Sequence, residues 1–135
     1  MKATLSKAER LSSRKLIDRL FTRGSTEVQT FYLFPFRVLY LHEPADSPGS
    51  VRLPAILITV SKRQFKRAVD RNLIRRRIRE AYRLNKALLV SPEAAGPRPA
   101  YLAFLYTAKQ ILSFDEIEKG MTLTLRKVTG DRQQP

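Results

Sequence analysis

Between Val60 and Lys86 the chain reads VSKRQFKRAVDRNLIRRRIREAYRLNK, eleven basic residues against two acids, Asp70 and Glu80, with apolar residues returning at helical intervals. A stretch this charged folds as a helix that lays one side on a core and leaves the other in water. On a wheel of about 3.6 residues per turn, Ala68, Asn72, Arg75, Arg79, Arg83 and Lys86 form one stripe, with Arg76 at its edge. Leu73, Ile74, Ile78, Ala81, Leu84 and Leu88 fall opposite, and Tyr82 borders the basic stripe. A helix is therefore predicted over about 68–89. Its apolar side needs a sheet to cover, and AILITV (55–60) and YLAFLY (101–106) are suitable buried strands on either side of it.

The other elements follow from shorter patterns. Leu16, Ile17, Leu20 and Phe21 stand at helical spacing within 13–23, and Gly24 follows as a stop signal. The run FYLFPFRVLYL (31–41) is aromatic and branched, which predicts one strand bulged or at an edge near Pro35. Ser113, with Glu116 three residues on, predicts a capping box, and Ile117, Met121, Thr124, Leu125 and Val128 mark one side of a final helix over about 113–127. Two proline-rich stretches, HEPADSPGS (42–50) and SPEAAGPRP (91–99), read as surface loops. The order is α, two or three strands, α, β, α: a small α+β sandwich in which 135 residues make a single domain with an ordered core over about 5–128.

Charge decides the class of partner. A formal net charge of +14 and a pI near 10.8 favour polyanions. Arginine dominates the stripe, and its planar fork suits phosphate and stacking on bases better than a point charge does. Like charges at i and i+4, such as Arg75 and Arg79, repel one another, and two acids offer little relief within the helix; an external anion would supply it. Cysteine is absent, which excludes disulfide frameworks and thiolate metal sites and fits a reducing compartment. No apolar run reaches the roughly 18 residues of a membrane span, so a soluble cytoplasmic protein with no membrane partner is expected. His42 is the only histidine, which leaves no histidine acid/base pair and no histidine-rich metal site. Asp115, Glu116 and Glu118 are the one acidic cluster, and they suit a helix N-terminus better than a pair of catalytic divalent ions.

The run from Val60 to Arg83 closely resembles the signature of the protein subunit of bacterial ribonuclease P. In that family a strand ends in V-S-K-K/R, a short connection leads to A-V-x-R-N-R, and the helix continues as I-K/R-R-x-x-R-E/Q-x-F/Y. Val60, Ser61, Lys62 and Arg63 match the first part; Ala68, Val69, Arg71 and Asn72 the second; Ile74, Arg75, Arg76, Arg79, Glu80 and Tyr82 the third. Leu20 to Gly24 is similar to the family's V-F-K/R-x-G helix end. Leu73 departs from the pattern, standing where the second arginine of R-N-R is usual.

The resemblance implies a subunit that breaks no bond itself. A partner RNA holds the catalytic magnesium ions and cleaves precursor tRNA at the mature five-prime end, so the chain would bind no cofactor of its own and need no obligate protein partner. It also implies a left-handed β-α-β crossover, like that in the second domain of a small-subunit ribosomal protein, against the usual right-handed rule. The catalytic RNA would meet Lys62, Arg63, Lys66, Arg67, Arg71, Asn72, Arg75, Arg76, Arg79 and Arg83. The single-stranded leader would lie between the sheet and the first helix, against Ile17, Phe21, Phe34, Phe36 and Lys62. The competing reading is a structural, ribosomal-type RNA-binding protein with no processing role; composition does not separate the two, and the spacing from Val60 to Tyr82 favours ribonuclease P.

Overall fold

The structure is a computed structural model that describes residues 17, 18, 20, 21, 28–41, 54–90 and 101–128. The expected loops at 42–50 and 91–99, and the ends of the first helix at Ser13 and Gly24, lie outside the described residues. Ile17, Asp18 and Leu20 are helical, as the N-terminal pattern predicts, and Phe21 follows in a turn.

Strands β1 (Val28–Leu33) and β2 (Phe36–Leu41) pair antiparallel across a two-residue turn, Phe34–Pro35, whose peptide bond is cis. The single bulged strand predicted over 31–41 is thus corrected to a hairpin. Pro35 has no N–H and cannot continue a ladder; it sits where the chain reverses. Its carbonyl accepts from the Thr107 N–H at 2.8 Å and the Thr107 hydroxyl at 3.0 Å, tying the turn to the far end of β4.

Strand β3 (Ala55–Val60) leads into helix α1 (Ala68–Asn85), a 3-10 turn follows over Lys86–Val90, and β4 (Tyr101–Tyr106) precedes helix α2 (Phe114–Val128). The sheet order is β1-β2-β4-β3, with β2 and β4 antiparallel and β3 and β4 parallel. Helix α1 therefore spans a β-α-β crossover between neighbouring strands, and the fold is α+β as the element order predicts.

Alternation along the strands gives the sheet two faces. Phe36, Val38, Ile56, Val60, Leu102, Phe104 and Tyr106 face the helices and are buried with Ile74, Ile78, Tyr82, Ile117, Met121 and Leu125. The rings of Phe36 and Phe104 meet edge to face at 5.6 Å, and Tyr82 lies 6.0 Å from Phe104. Helix α2 starts on the predicted capping box: the Ser113 hydroxyl accepts from the Glu116 N–H at 3.3 Å while the Glu116 carboxylate accepts from the Ser113 N–H at 3.4 Å. It crosses the hairpin, with Gly120 against Phe34–Pro35 and the Lys127 ammonium 5.4 Å from the Phe31 ring centre. The Asn85 side-chain amide joins the helices, donating to Glu118 Oε2 at 3.0 Å and to the Ala81 carbonyl at 2.8 Å.

The opposite face carries a smaller cluster. Leu39, Leu41 and Ala103 are covered by Leu20, with Ile17, Val28, Ala55, Leu57, Tyr101 and Leu105 around them. An apolar element on each side explains why β3 reads as a continuous apolar run rather than an alternation.

Candidate nucleic-acid interface

The orientation of α1 is set by its buried residues, Ile74, Ile78, Ala81 and Tyr82. Three sequence expectations change accordingly. Tyr82 is fully buried rather than bordering the basic stripe, Leu84 is about half exposed rather than core, and Lys86 is buried rather than last on the ladder. The core face is turned toward Tyr82 because two aromatic rings, those of Tyr82 and Phe104, fill space that leucines at 73 and 84 do not. Arg76 moves from the edge to the middle of the exposed face, beside Asn72 and Arg79.

The arginines then divide by what they touch. Arg71 Nη1 donates to the Phe65 carbonyl at 2.8 Å and the Lys66 carbonyl at 2.9 Å, and Arg77 Nη1 to the Leu112 carbonyl at 2.6 Å. Arg75 Nη1 donates to Asn72 Oδ1 at 3.2 Å. Arg83 pairs with Glu80, its Nε donating to Oε1 at 3.0 Å and its Nη2 to Oε2, and this contact holds the Glu80 carboxyl below its usual range. Arg76 and Arg79 are exposed and make no hydrogen bond or ion pair among the described residues. Leu73, which departs from the R-N-R pattern, is half-buried; of the arginines that follow, Arg77 is committed to the Leu112 carbonyl and Arg76 faces solvent.

The connection from β3 adds four more cations. Lys62, Arg63, Lys66 and Arg67 are all exposed on the Ser61–Arg67 loop. The loop is built on a turn: the Phe65 N–H donates to the Ser61 carbonyl at 3.0 Å and the Gln64 N–H to the Ser61 hydroxyl at 3.3 Å, while the buried Phe65 ring packs 5.9 Å from Tyr106. No side chain caps α1 at Arg67, so the partial positive charge of the helix start adds to that of the loop.

The leader residues expected from sequence separate as well. Phe34 is 55% exposed at the hairpin tip and Phe21 is 42% exposed beyond the N-terminal helical residues, whereas Ile17 is half-buried against the second cluster. Phe36 is corrected: it has no exposed surface and holds β2 onto the helices, because the turn at Phe34–Pro35 puts it in the strand facing Phe104. Two residues outside the sequence-predicted set, Tyr32 and Arg37, are exposed near the hairpin tip instead. Strand register aligns Tyr32, Arg37, Leu105 and Thr59 across all four strands on the face opposite α1. Tyr32 is 61% exposed and Arg37 is exposed too. This row lies one step beyond the part of the face that Leu20 covers, at the end of the sheet where β3 runs into Ser61 and Lys62. Had the hairpin been recognised, the parity of Tyr32 and Arg37 would have been readable.

Aromatic rings, Arg37 and the basic loop thus share one end of the sheet, and the loop leads directly into α1. Such a surface can hold phosphates and stack bases without reading sequence. Among the described residues no group of three His, Cys, Asp or Glu could hold a metal ion, and no helix is long and apolar enough to cross a membrane.

Comparison with known proteins gives the family. The family model described as Ribonuclease P matches residues 5–129. The ribonuclease P protein component of Porphyromonas gingivalis is 35% identical over 127 residues, covering 94% of this chain and 88% of the relative. That of Chlorobaculum tepidum is 36% identical over 110 residues, 78% of this chain and 68% of the relative. A shorter stretch of the Idiomarina loihiensis component, 40 residues, is 52% identical and covers 30% of this chain and 32% of the relative.

Proposed function

We propose, starting from the fact that this chain belongs to the ribonuclease P protein family, that it binds the catalytic RNA of that enzyme and the single-stranded leader of precursor tRNA, and assists endonucleolytic removal of the leader. The observation that carries the reading is the shared end of the sheet. Six exposed cations, Lys62, Arg63, Lys66, Arg67, Arg76 and Arg79, run from the β3–α1 loop along the outer face of α1. The exposed rings of Phe34 and Tyr32 stand at the same end of the sheet, on the β1–β2 hairpin across β2 and β4 from that loop.

The division of labour follows from chemistry. The guanidinium groups of Arg76 and Arg79, with Arg75 and Arg83 beside them, neutralise backbone phosphates of the catalytic RNA. Neutralising about six phosphates gives a log–log salt slope of roughly −4 on single strands and −5 on duplex. Phe34, Tyr32 and Phe21 stack leader bases at about 1–3 kcal/mol each, and Arg37 and Lys62 hold the leader phosphates. On this reading bond cleavage falls to the RNA and its magnesium ions, and the chain supplies binding. The holoenzyme would work in the cytoplasm, where tRNA precursors are made.

The test is cleavage of a precursor tRNA by a bacterial ribonuclease P RNA at low magnesium, with and without the purified chain, and with the chain alone. Stimulation at the mature five-prime end that requires the RNA is the expected result. RNA binding without stimulation by a cognate RNA would overturn the processing role in favour of a structural RNA-binding protein.

A further inference from the structure

Arg71 lies within the arginine motif, yet its surroundings differ from those of its neighbours. Its Nη1 reaches back across the start of α1 to two carbonyl oxygens, those of Phe65 and Lys66, at 2.8 and 2.9 Å. Both are charge-assisted hydrogen bonds of good length. They close a circuit around the loop: the Phe65 ring is buried against Tyr106, its N–H is bonded to Ser61, and its carbonyl is bonded to Arg71.

Two consequences follow from this geometry. The carbonyl oxygens are centres of partial negative charge in contact with the guanidinium, which makes this spot a poor seat for a phosphate compared with Arg76 and Arg79, where no such acceptor stands. And because a peptide unit is planar and trans, turning the Phe65 and Lys66 carbonyls toward Arg71 points the N–H groups of Lys66 and Arg67 the other way. Neither N–H has a hydrogen-bonding partner among the described residues.

We infer that Arg71 is a positioning residue: it clamps the Ser61–Arg67 loop so that Lys62, Arg63 and Lys66 are presented to RNA, and it takes no phosphate itself. The presenting half of this role rests on the RNA-binding reading above; the clamp does not.

The experiment has an arm for each half. In the protein alone, amide hydrogen exchange at Phe65 is followed in the wild type, Arg71→Gln and Arg79→Gln. Loss of the clamp speeds exchange at Phe65 by about tenfold or more, the size expected for a charge-assisted hydrogen bond, and Arg79→Gln leaves it unchanged. With a bacterial ribonuclease P RNA transcript as probe, Arg71→Gln weakens binding severalfold in the wild-type background but adds no loss in a Lys62→Ala/Arg63→Ala/Lys66→Ala background, a non-additivity that general destabilisation would not produce. Should Arg71→Gln fail to fold, Arg71→Lys, which keeps the charge but not the reach of the guanidinium, gives the same pattern with smaller changes. Unchanged exchange at Phe65 overturns the clamp, and fully additive losses on RNA make Arg71 a phosphate ligand. A wild type that binds no RNA overturns the RNA-binding reading and the presenting role with it, while the exchange arm still decides the clamp.

Discussion

The contact between α2 and the β1–β2 hairpin offers the sharpest single test of the packing. Gly120 lies in the middle of α2 and is buried; a Cβ built there would stand 2.5 Å from Pro35 Cδ and 2.8 Å from the Phe34 carbonyl oxygen. Ordinary non-bonded contact is about 3.5–4.0 Å, so Gly120→Ala forces helix and hairpin apart by roughly 1 Å. One of the two obstacles is backbone, which cannot swing aside as a long side chain would. Overpacking of this kind costs about 1–3 kcal/mol. Against it stands the helix propensity of alanine over glycine, a gain of about 1 kcal/mol. The net expectation is a loss of up to about 2 kcal/mol, a fall in the thermal midpoint of up to some 10 °C for a domain this size. Calorimetry or urea unfolding measures it directly. Because the displaced turn carries Phe34 and adjoins Tyr32, affinity for precursor tRNA should fall relative to mature tRNA. A variant more stable than the wild type by about the 1 kcal/mol of helix propensity alone would refute the close approach and with it the docking of α2 on the hairpin.

Phe36→Ala should cost about 3–5 kcal/mol, as for a large ring removed from a core, while Phe34→Ala should leave unfolding nearly unchanged and weaken precursor binding relative to mature tRNA; urea unfolding and paired binding titrations separate the two, and equal losses on both tRNAs would remove Phe34 from the leader site. Thr124 buries a hydroxyl that has no hydrogen-bonding partner among the described residues, so Thr124→Val should stabilise the fold by about 1 kcal/mol, read as a higher urea midpoint. The Tyr106 hydroxyl donates to the Gln110 carbonyl at 2.6 Å and accepts from the buried Leu112 N–H at 3.1 Å, so Tyr106→Phe should cost about 1–3 kcal/mol by leaving that N–H unpaired. Burial raises the Tyr106 pKa; its contribution to stability is complete below the unfolded value of about 10 and is lost as pH rises through the higher folded one, and Tyr106→Phe should flatten that alkaline decline in urea midpoints. Arg79→Ala should reduce the salt slope of RNA binding by about 0.7–0.9, whereas Arg77→Ala, which frees the Leu112 carbonyl, should lower stability and leave the slope as it was.

Most of the fold could be read from sequence because its signals are local. The capping box at Ser113 and Glu116, the apolar runs at 55–60 and 101–106 and the side of α2 that carries Ile117, Met121 and Leu125 all depend on residues a few positions apart. What escaped depends on partners distant in sequence. Pro35 signals interrupted pairing, but whether the chain bulges or reverses is decided by Thr107, 72 residues away, which binds the Pro35 carbonyl. The turn of α1 about its axis was misjudged for the same reason. A wheel weighs leucines at 73 and 84 equally with a tyrosine at 82, and only the Phe104 ring opposite shows that the tyrosine fills the core. The roles of Arg71 and Arg77 were hidden too, since a guanidinium held by backbone carbonyls and one turned to solvent have the same letter.

Those two arginines also change the argument from charge. In sequence the helix looks like a ladder of mutual repulsion that an external anion must relieve. In the structure much of that relief is internal: Arg71 and Arg77 bind carbonyls, Arg83 binds Glu80, and Arg75 binds Asn72. What remains between a pair such as Arg75 and Arg79 is about 0.2–0.5 kcal/mol, small beside the burial of Ile74, Ile78 and Tyr82, at about 1.5–3 kcal/mol for a large apolar side chain. The helix therefore needs no anion in order to fold. On the proposed RNA-binding reading, affinity would draw instead on the counterions released by the cations left facing water, above all Arg76, Arg79 and the loop from Lys62 to Arg67. A surface organised before it meets its partner spends little of its binding energy on ordering side chains, and the internal acceptors that bind Arg71, Arg75, Arg77 and Arg83 are what organise this one.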